Sequence, residues 1–242
     1  MNENLSLTHE ELLICERLRS LRMSGMADAF ESQMLDPNAD LAPFIERFTE
    51  IVNHEWQIRY DKKFKRYLKQ AHLRYPDADL DETIYDPARK LDTDAIERLA
   101  TCHWIDEGKN LLITGMTSSG KTHLSNALCI SALRQLKTVR YIRANTLMLE
   151  LEQARLKSTY LEYVTALSKL DLLAIDDFGL MELDLDKCRD LFEVSMDGMD
   201  AGPQSSFHSF RSSHGLICSG NILMRMHVLP VLLISDIAIG LK

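Results

Sequence analysis

The segment Leu111-Leu112-Ile113-Thr114-Gly115-Met116-Thr117-Ser118-Ser119-Gly120-Lys121-Thr122 constrains the fold more than any other part of the chain. Its last eight residues match G-x-x-x-x-G-K-[ST], a loop whose glycines let successive backbone N–H groups turn inward around an anion. Four mostly apolar residues precede it, as a short buried strand requires, and Lys121–Gln135 reads as a helix. The N-terminus of that helix points the positive end of its dipole at the same place. A strand, a glycine-bounded turn and a helix in this order form the setting in which the motif binds phosphate. Gly115–Thr122 is therefore expected to hold a nucleoside triphosphate, ATP with Mg²⁺. Lys121 would reach the β- and γ-phosphates as a catalytic cation exposed to the ligand, and the Thr122 hydroxyl would ligate the metal.

A second segment answers the first. Leu172-Leu173-Ala174-Ile175 is another buried-strand run, ending on Asp176-Asp177 about 54 residues after Thr122. An acid at the C-terminal tip of such a strand can meet the cation held by Thr122, which assigns Asp176 as a metal ligand. Asp177, one residue on, is the candidate catalytic group that orients or deprotonates the attacking water. Alone, the pair would read as a solvated strand end.

Between and around these segments, strand and helix alternate. Val139–Ile142 reads as a strand, Thr146–Lys157 as a helix, and Leu183–Val194 as a further helix. The alternation predicts an α/β fold, a P-loop NTPase core with a parallel sheet, over residues 101–194.

Residues 1–100 read instead as a helical region. One helix is expected over 6–35, and a second from Pro43 to about His72, with Phe44, Ile45, Phe48, Ile51, Val52, Trp56, Tyr60, Phe64 and Leu68 on a buried face. Trp104 is expected to pack under the first strand. The second helix carries Arg59, Lys62, Lys63, Lys65, Arg66 and Lys69, with Arg74 just beyond, against the single acid Asp61. The formal net charge of -8 argues against a nucleic-acid partner, but charge more distant than about 8–10 Å is screened. The local stripe is a candidate DNA-binding surface, its alternative being a solvated helix face.

Composition limits the remaining classes. Five scattered cysteines without a C-x-x-C pair argue against a disulfide framework or a zinc site and suit a reducing cytoplasm. No apolar run approaches the ~18 residues of a membrane span, and the first residues have no signal-peptide pattern. A cytoplasmic protein without a membrane partner is expected.

With both nucleotide motifs in place, the chain resembles the IstB-like ATP-binding proteins. These are helper ATPases of insertion-sequence transposition, related to DnaC-type helicase loaders within the AAA+ class. Arg19–Ala27 resembles the family's LRLxGMA segment, Cys102–Gly108 and Asn110–Thr114 the stretch leading into its loop, and Leu172–Gly179 its LLxIDDFG strand and turn. The likeness spans about residues 10–194. The Ser118-Ser119 pair stands where the family often carries a glycine. The resemblance implies ATP-dependent DNA binding, assembly of several copies on DNA, and stimulation of the transposase of the same element. A helicase-loader ATPase is the second implication.

After Val194 the texture changes: only six of the last 48 residues are Asp, Glu, Lys or Arg. A core of this type needs a further strand between those of Ile113 and Ile175. The tail offers no apolar run until Val228, and Pro230 interrupts that one. Residues 195–242 are therefore expected to be a non-native tail, leaving the core incomplete and ATP turnover impaired, or the chain a nucleotide-binding fragment. Read one base out of register, the tail can encode a segment resembling the family's C-terminus. In that register Met196-Asp197 and Met199-Asp200 each force glycine and Met226-His227 forces alanine, all where the pattern wants them.

Overall fold

The computed structural model describes residues 6–81, 93–114, 119–177 and 231–235. The expected helix Leu183–Val194 and loop residues Gly115, Met116, Thr117 and Ser118 lie outside them, as does the tail apart from Val231–Ser235. Two compact units divide the chain, 1–65 and 66–242. The division falls well before residue 100 because the helices over 93–106 belong with the core: α4 (Thr93–Ala100) packs on the helix that follows the phosphate loop.

In the first unit, α1 (His9–Ser20) opens with a capping box in which Thr8 and Glu11 satisfy each other's backbone N–H. The single helix expected over 6–35 is two. Arg22 adopts φ 60°, and the Met23 N–H returns to the Leu18 carbonyl at 2.9 Å, which closes α1 and lets α2 (Ser24–Met34) start afresh. Neither glycine nor proline marks that break. A 3₁₀ turn over Ala39–Leu41 leads into α3 (Phe44–Ala71), close to the expected bounds.

The face that α3 buries is not the one its apolar spacing suggests. Ile51 and Glu55 are buried, whereas Phe44 (71%), Ile45, Phe48, Val52 and Trp56 (61%) stay exposed. Packing against α2 decides this. A Cβ built on Gly25 would lie 2.7 Å from the Ile58 Cδ1 and 3.0 Å from the Glu55 Cα, so the two helices meet where one residue lacks a side chain.

In the second unit, α5 (His103–Asp106) buries Trp104, whose indole N–H donates to the Leu99 carbonyl at 3.0 Å. A parallel sheet follows, with β1 (Leu111–Thr114), β2 (Val139–Arg143), β3 (Leu172–Asp176) and β4 (Val231–Ser235) in the order β1-β4-β3-β2. Thr138 and Asp171 lock β2 to β3 ahead of their first pair. The Asp171 carboxylate accepts from the Thr138 N–H at 2.6 Å and from its hydroxyl at 2.7 Å.

The slot that the sequence reading leaves unfilled holds β4. This strand lies between β1 and β3, pairing Leu111–Thr114 with Leu232–Ser235 and Leu173–Ile175 with Val231–Leu233. Pro230 does not prevent this, because the strand begins at the residue after it and no ladder position needs a proline N–H.

Alternation along the strands sorts the core. Ile142, Leu173 and Ile175 pack with Leu147 and Leu151 of α7 (Ala144–Leu156) and Val164 and Leu167 of α8 (Tyr160–Ser168). The alternate residues Tyr141, Ala174 and Asp176 face α6 (Lys121–Arg134), which is buried along most of its length, as a helix lying on a sheet must be.

Candidate functional site

The site is built where α6 begins and β3 ends. Gly120, at φ 88°, caps α6 in a left-handed conformation that a glycine takes without strain. Lys121 is its first residue. Expected to stand exposed, it is instead only 8% exposed, as befits the opening residue of a helix sunk onto the sheet. Thr122 follows, and its hydroxyl donates to Asp176 Oδ2 at 3.2 Å. The structure thus joins Thr122 and Asp176 across 54 positions of sequence. Ser119 is exposed beside them.

Asp176 is 1% exposed, and its carboxylate is satisfied from three directions. The Thr122 and Tyr141 hydroxyls both donate to Oδ2, and the Asp177 N–H donates to Oδ1 at 2.9 Å. A buried carboxylate without such donors would carry a large desolvation cost. Burial, and then the bond to Asp176, push the Tyr141 hydroxyl well above its usual pKa, so it stays protonated and remains a donor.

Asp177 sits outside the sheet in a left-handed conformation, φ 57°. Its carboxylate lies 3.8 Å from the Arg143 Nε. Arg143 pairs with Asp176 in the β2–β3 register, so a cation stands at the same sheet edge as the two acids. The sequence reading places Tyr141 only within a strand and gives Arg143 no part. A tyrosine in a buried run does signal a hidden acceptor, since a buried phenol seeks a partner, but the sequence does not name that partner.

Behind the site, Asn126 of α6 is fully buried. It donates to the Thr122 carbonyl at 2.6 Å and accepts from the Tyr75 N–H at 3.2 Å, fixing the start of α6 to the segment after α3. Arg134 and Asp79, 2.8 Å apart, hold the same segment further along the helix.

Magnesium fits this donor set. It takes hard oxygen ligands and commonly needs only one or two carboxylates besides the phosphates it accompanies. Asp176 provides one, and Thr122 donates its proton to Asp176 while its oxygen lone pairs stay free. Among the described residues no cluster of three His, Cys, Asp or Glu forms a self-contained metal cage. The site therefore suits a cation that arrives with a nucleotide.

The basic stripe is divided in its duties. Arg59 is engaged within the fold, bonding Glu55 through Nε at 2.5 Å and the Arg22 carbonyl through Nη2 at 2.8 Å. Lys62, Lys65, Arg66 and Lys69 are exposed at i, i+3, i+4 and i+7 of α3, Arg66 lying over the Tyr67 ring, and Lys63 is half-buried. Arg74 is exposed beyond the helix, its guanidinium 5.4 Å from the Tyr75 ring centre. Trp56, Tyr60 and Phe64 form a stacked file, with centroids 5.3 and 6.4 Å apart, in place of the core packing expected for them.

A parallel sheet with a glycine-capped helix at its phosphate loop and an acid at the tip of β3 defines a P-loop NTPase core of the AAA+ type, preceded by a helical region. The chain belongs to the IstB-like ATP binding protein family, whose model matches residues 16–203. It is 36% identical over 178 residues to the ATP-binding protein of insertion sequence IS1162 from Pseudomonas fluorescens, covering 74% of this chain and 77% of that one. It is 31% identical over 182 residues to the insertion-sequence ATP-binding protein y4pL of Sinorhizobium fredii, covering 75% and 74%. Among solved structures, AMPPCP-bound DnaA from Aquifex aeolicus shares the fold (TM-score 0.51, 19% identity), this chain spanning 43% of that protein and the match 69% of this chain. The family match runs past Val194, where the resemblance was expected to stop, but ends before β4. No described helix is long and apolar enough to cross a membrane.

Proposed function

We propose that this chain is an ATP-driven helper of DNA transposition. It binds ATP with Mg²⁺ through the loop 115–122 and Asp176, binds DNA in the nucleotide-bound state, assembles as several copies on that DNA in the cytoplasm, and stimulates the transposase of the same insertion element. The observation that carries the nucleotide reading is the Thr122 hydroxyl held 3.2 Å from a buried strand-tip carboxylate. The names of the relatives, ATP-binding proteins of insertion sequences, support the setting.

Each residue has a stated part. Lys121 neutralises the β- and γ-phosphates, and the backbone N–H groups at the start of α6 face the same charge. Thr122 and Asp176 would hold the magnesium, which when bound would supply positive charge beside the phosphates. Asp177 orients the attacking water, and Arg143 steadies its carboxylate. Lys62, Lys63, Lys65, Arg66, Lys69 and Arg74 meet DNA phosphates. That residues 195–242 are a tail from a shifted codon register is part of this proposal, and the nucleotide sequence around codon 194 decides it.

The test is duplex-DNA binding with and without ATP and Mg²⁺, on this chain and on Lys121→Ala. ATP is expected to tighten DNA binding by the original chain. Lys121→Ala should lose nucleotide affinity and the ATP effect while keeping its far-UV circular dichroism. Undiminished ATP affinity in the variant would sink the assignment of the loop.

A further inference from the structure

We propose that Tyr141 is a positioning residue for the metal of the nucleotide site: its hydroxyl, on the strand beside β3, fixes the Asp176 carboxylate in the orientation that receives the cation. The inference rests on the nucleotide reading above and adds to it a residue outside both sequence motifs.

The geometry supports it in three ways. Tyr141 stands opposite Ala174 in the β2–β3 ladder, and Ala174 shares its face with Asp176. The small alanine leaves the phenol room to lie along β3 toward the strand tip. There its hydroxyl donates to the same oxygen, Oδ2, that accepts from Thr122. The opposite oxygen, Oδ1, is held by the Asp177 N–H.

A carboxylate on a strand tip otherwise turns about its χ2 axis, a soft torsion. The Thr122 bond alone cannot stop that turn, because Thr122 belongs to the same phosphate-facing group and its oxygen is itself asked to face the cation. The Asp177 N–H lies one residue along the chain, in a left-handed backbone outside the sheet. Tyr141 is the donor anchored in the sheet itself, 7% exposed. Partners that orient a metal ligand commonly change metal affinity by about 10–100-fold when removed.

Tyr141→Phe deletes one oxygen and keeps the ring, and Tyr141→Met is a second variant without the hydroxyl. Affinity for a fluorescent ATP analogue is measured on the full chain in EDTA and in Mg²⁺, beside the wild type and Asp176→Asn, with melting temperatures recorded without nucleotide. We expect Tyr141→Phe to stay folded with a moderately lowered melting temperature, to match the wild type in EDTA affinity, and to lose about tenfold of the affinity that Mg²⁺ adds. Asp176→Asn should lose most of that Mg²⁺ increment. An undiminished increment in a folded hydroxyl-free variant, beside a clear wild-type increment, overturns the role of Tyr141 alone. Loss of folding or of EDTA affinity in both variants also overturns it, since the hydroxyl would then serve stability. A wild type that binds no nucleotide overturns the site reading itself, and this inference with it.

Discussion

Glu55 is an acid placed where the helical pattern of α3 calls for an apolar residue, and three contacts keep it there. Burial works against its charge, but the Arg59 side chain and the N–H groups of Met26 and Gly25 outweigh that and hold its carboxyl below the usual range. A carboxyl depressed in the folded state stabilises fully above its unfolded pKa, about 4.3 for glutamate, and loses that contribution as pH falls through the folded value. Glu55→Gln is thus expected to lower stability by roughly 1–2 kcal/mol at pH 7, the scale of hydrogen bonds to a charged group. The gap to the original chain should close as the pH is lowered from about 5 toward 3. Urea unfolding at a series of pH values measures it. A gap independent of pH would mean that the charge of Glu55 contributes nothing.

At the scale of one element, α3 combines two surfaces along its 28 residues. Its first half exposes Phe44, Ile45, Phe48, Val52 and Trp56, and its second half presents lysines and an arginine at one-face spacing. If the basic half meets a phosphate backbone, affinity for duplex DNA falls with salt, each neutralised phosphate adding about -0.9 to the slope of log K against log salt. Replacing Lys62, Lys63, Lys65 and Arg66 together by glutamine is expected to flatten that slope by about 2–4 units. Filter binding or anisotropy across a salt series reads it directly. An unchanged slope would make the stripe a solvated face. Arg59 is left out of the set because it bonds Glu55 and Arg22, so its loss would mix folding with binding.

For the whole molecule, the decisive fact is what fills the centre of the sheet. Val231–Ser235 gives β1 and β3 their inner hydrogen-bonding partner, although it lies far along the chain from β3 and past the family match. Leu233→Pro removes a backbone donor and forces a proline ring into a central strand. It is expected to lower the melting temperature sharply and to broaden the unfolding transition, with each unpaired buried backbone group costing roughly 1–3 kcal/mol. Substituting proline at Gly240, five residues along the chain from Ser235, is the control. Equal melting temperatures for Leu233→Pro and the original chain would remove Val231–Ser235 from the sheet. That result would favour the strand encoded in the shifted codon register as the native occupant of that slot.

The sequence alone determined what depends on neighbours along the chain. The strand Leu111–Thr114, the helix from Lys121, the acid ending the Leu172 strand, and the length of α3 all follow from hydrophobic period and turn chemistry within a few residues. Local signals were already ambiguous at Arg22, where a left-handed arginine ends α1 without glycine or proline. Tertiary structure decided everything that depends on which segments lie side by side. It chose the face of α3 to bury, through the bare Gly25 of α2. It brought Tyr141 to Asp176, through a register set between strands that chain order does not reveal. It also placed β4 beside β1 and β3, because an unfilled central slot leaves two rows of backbone groups unpaired, and a short apolar run beginning just after a proline can still satisfy both.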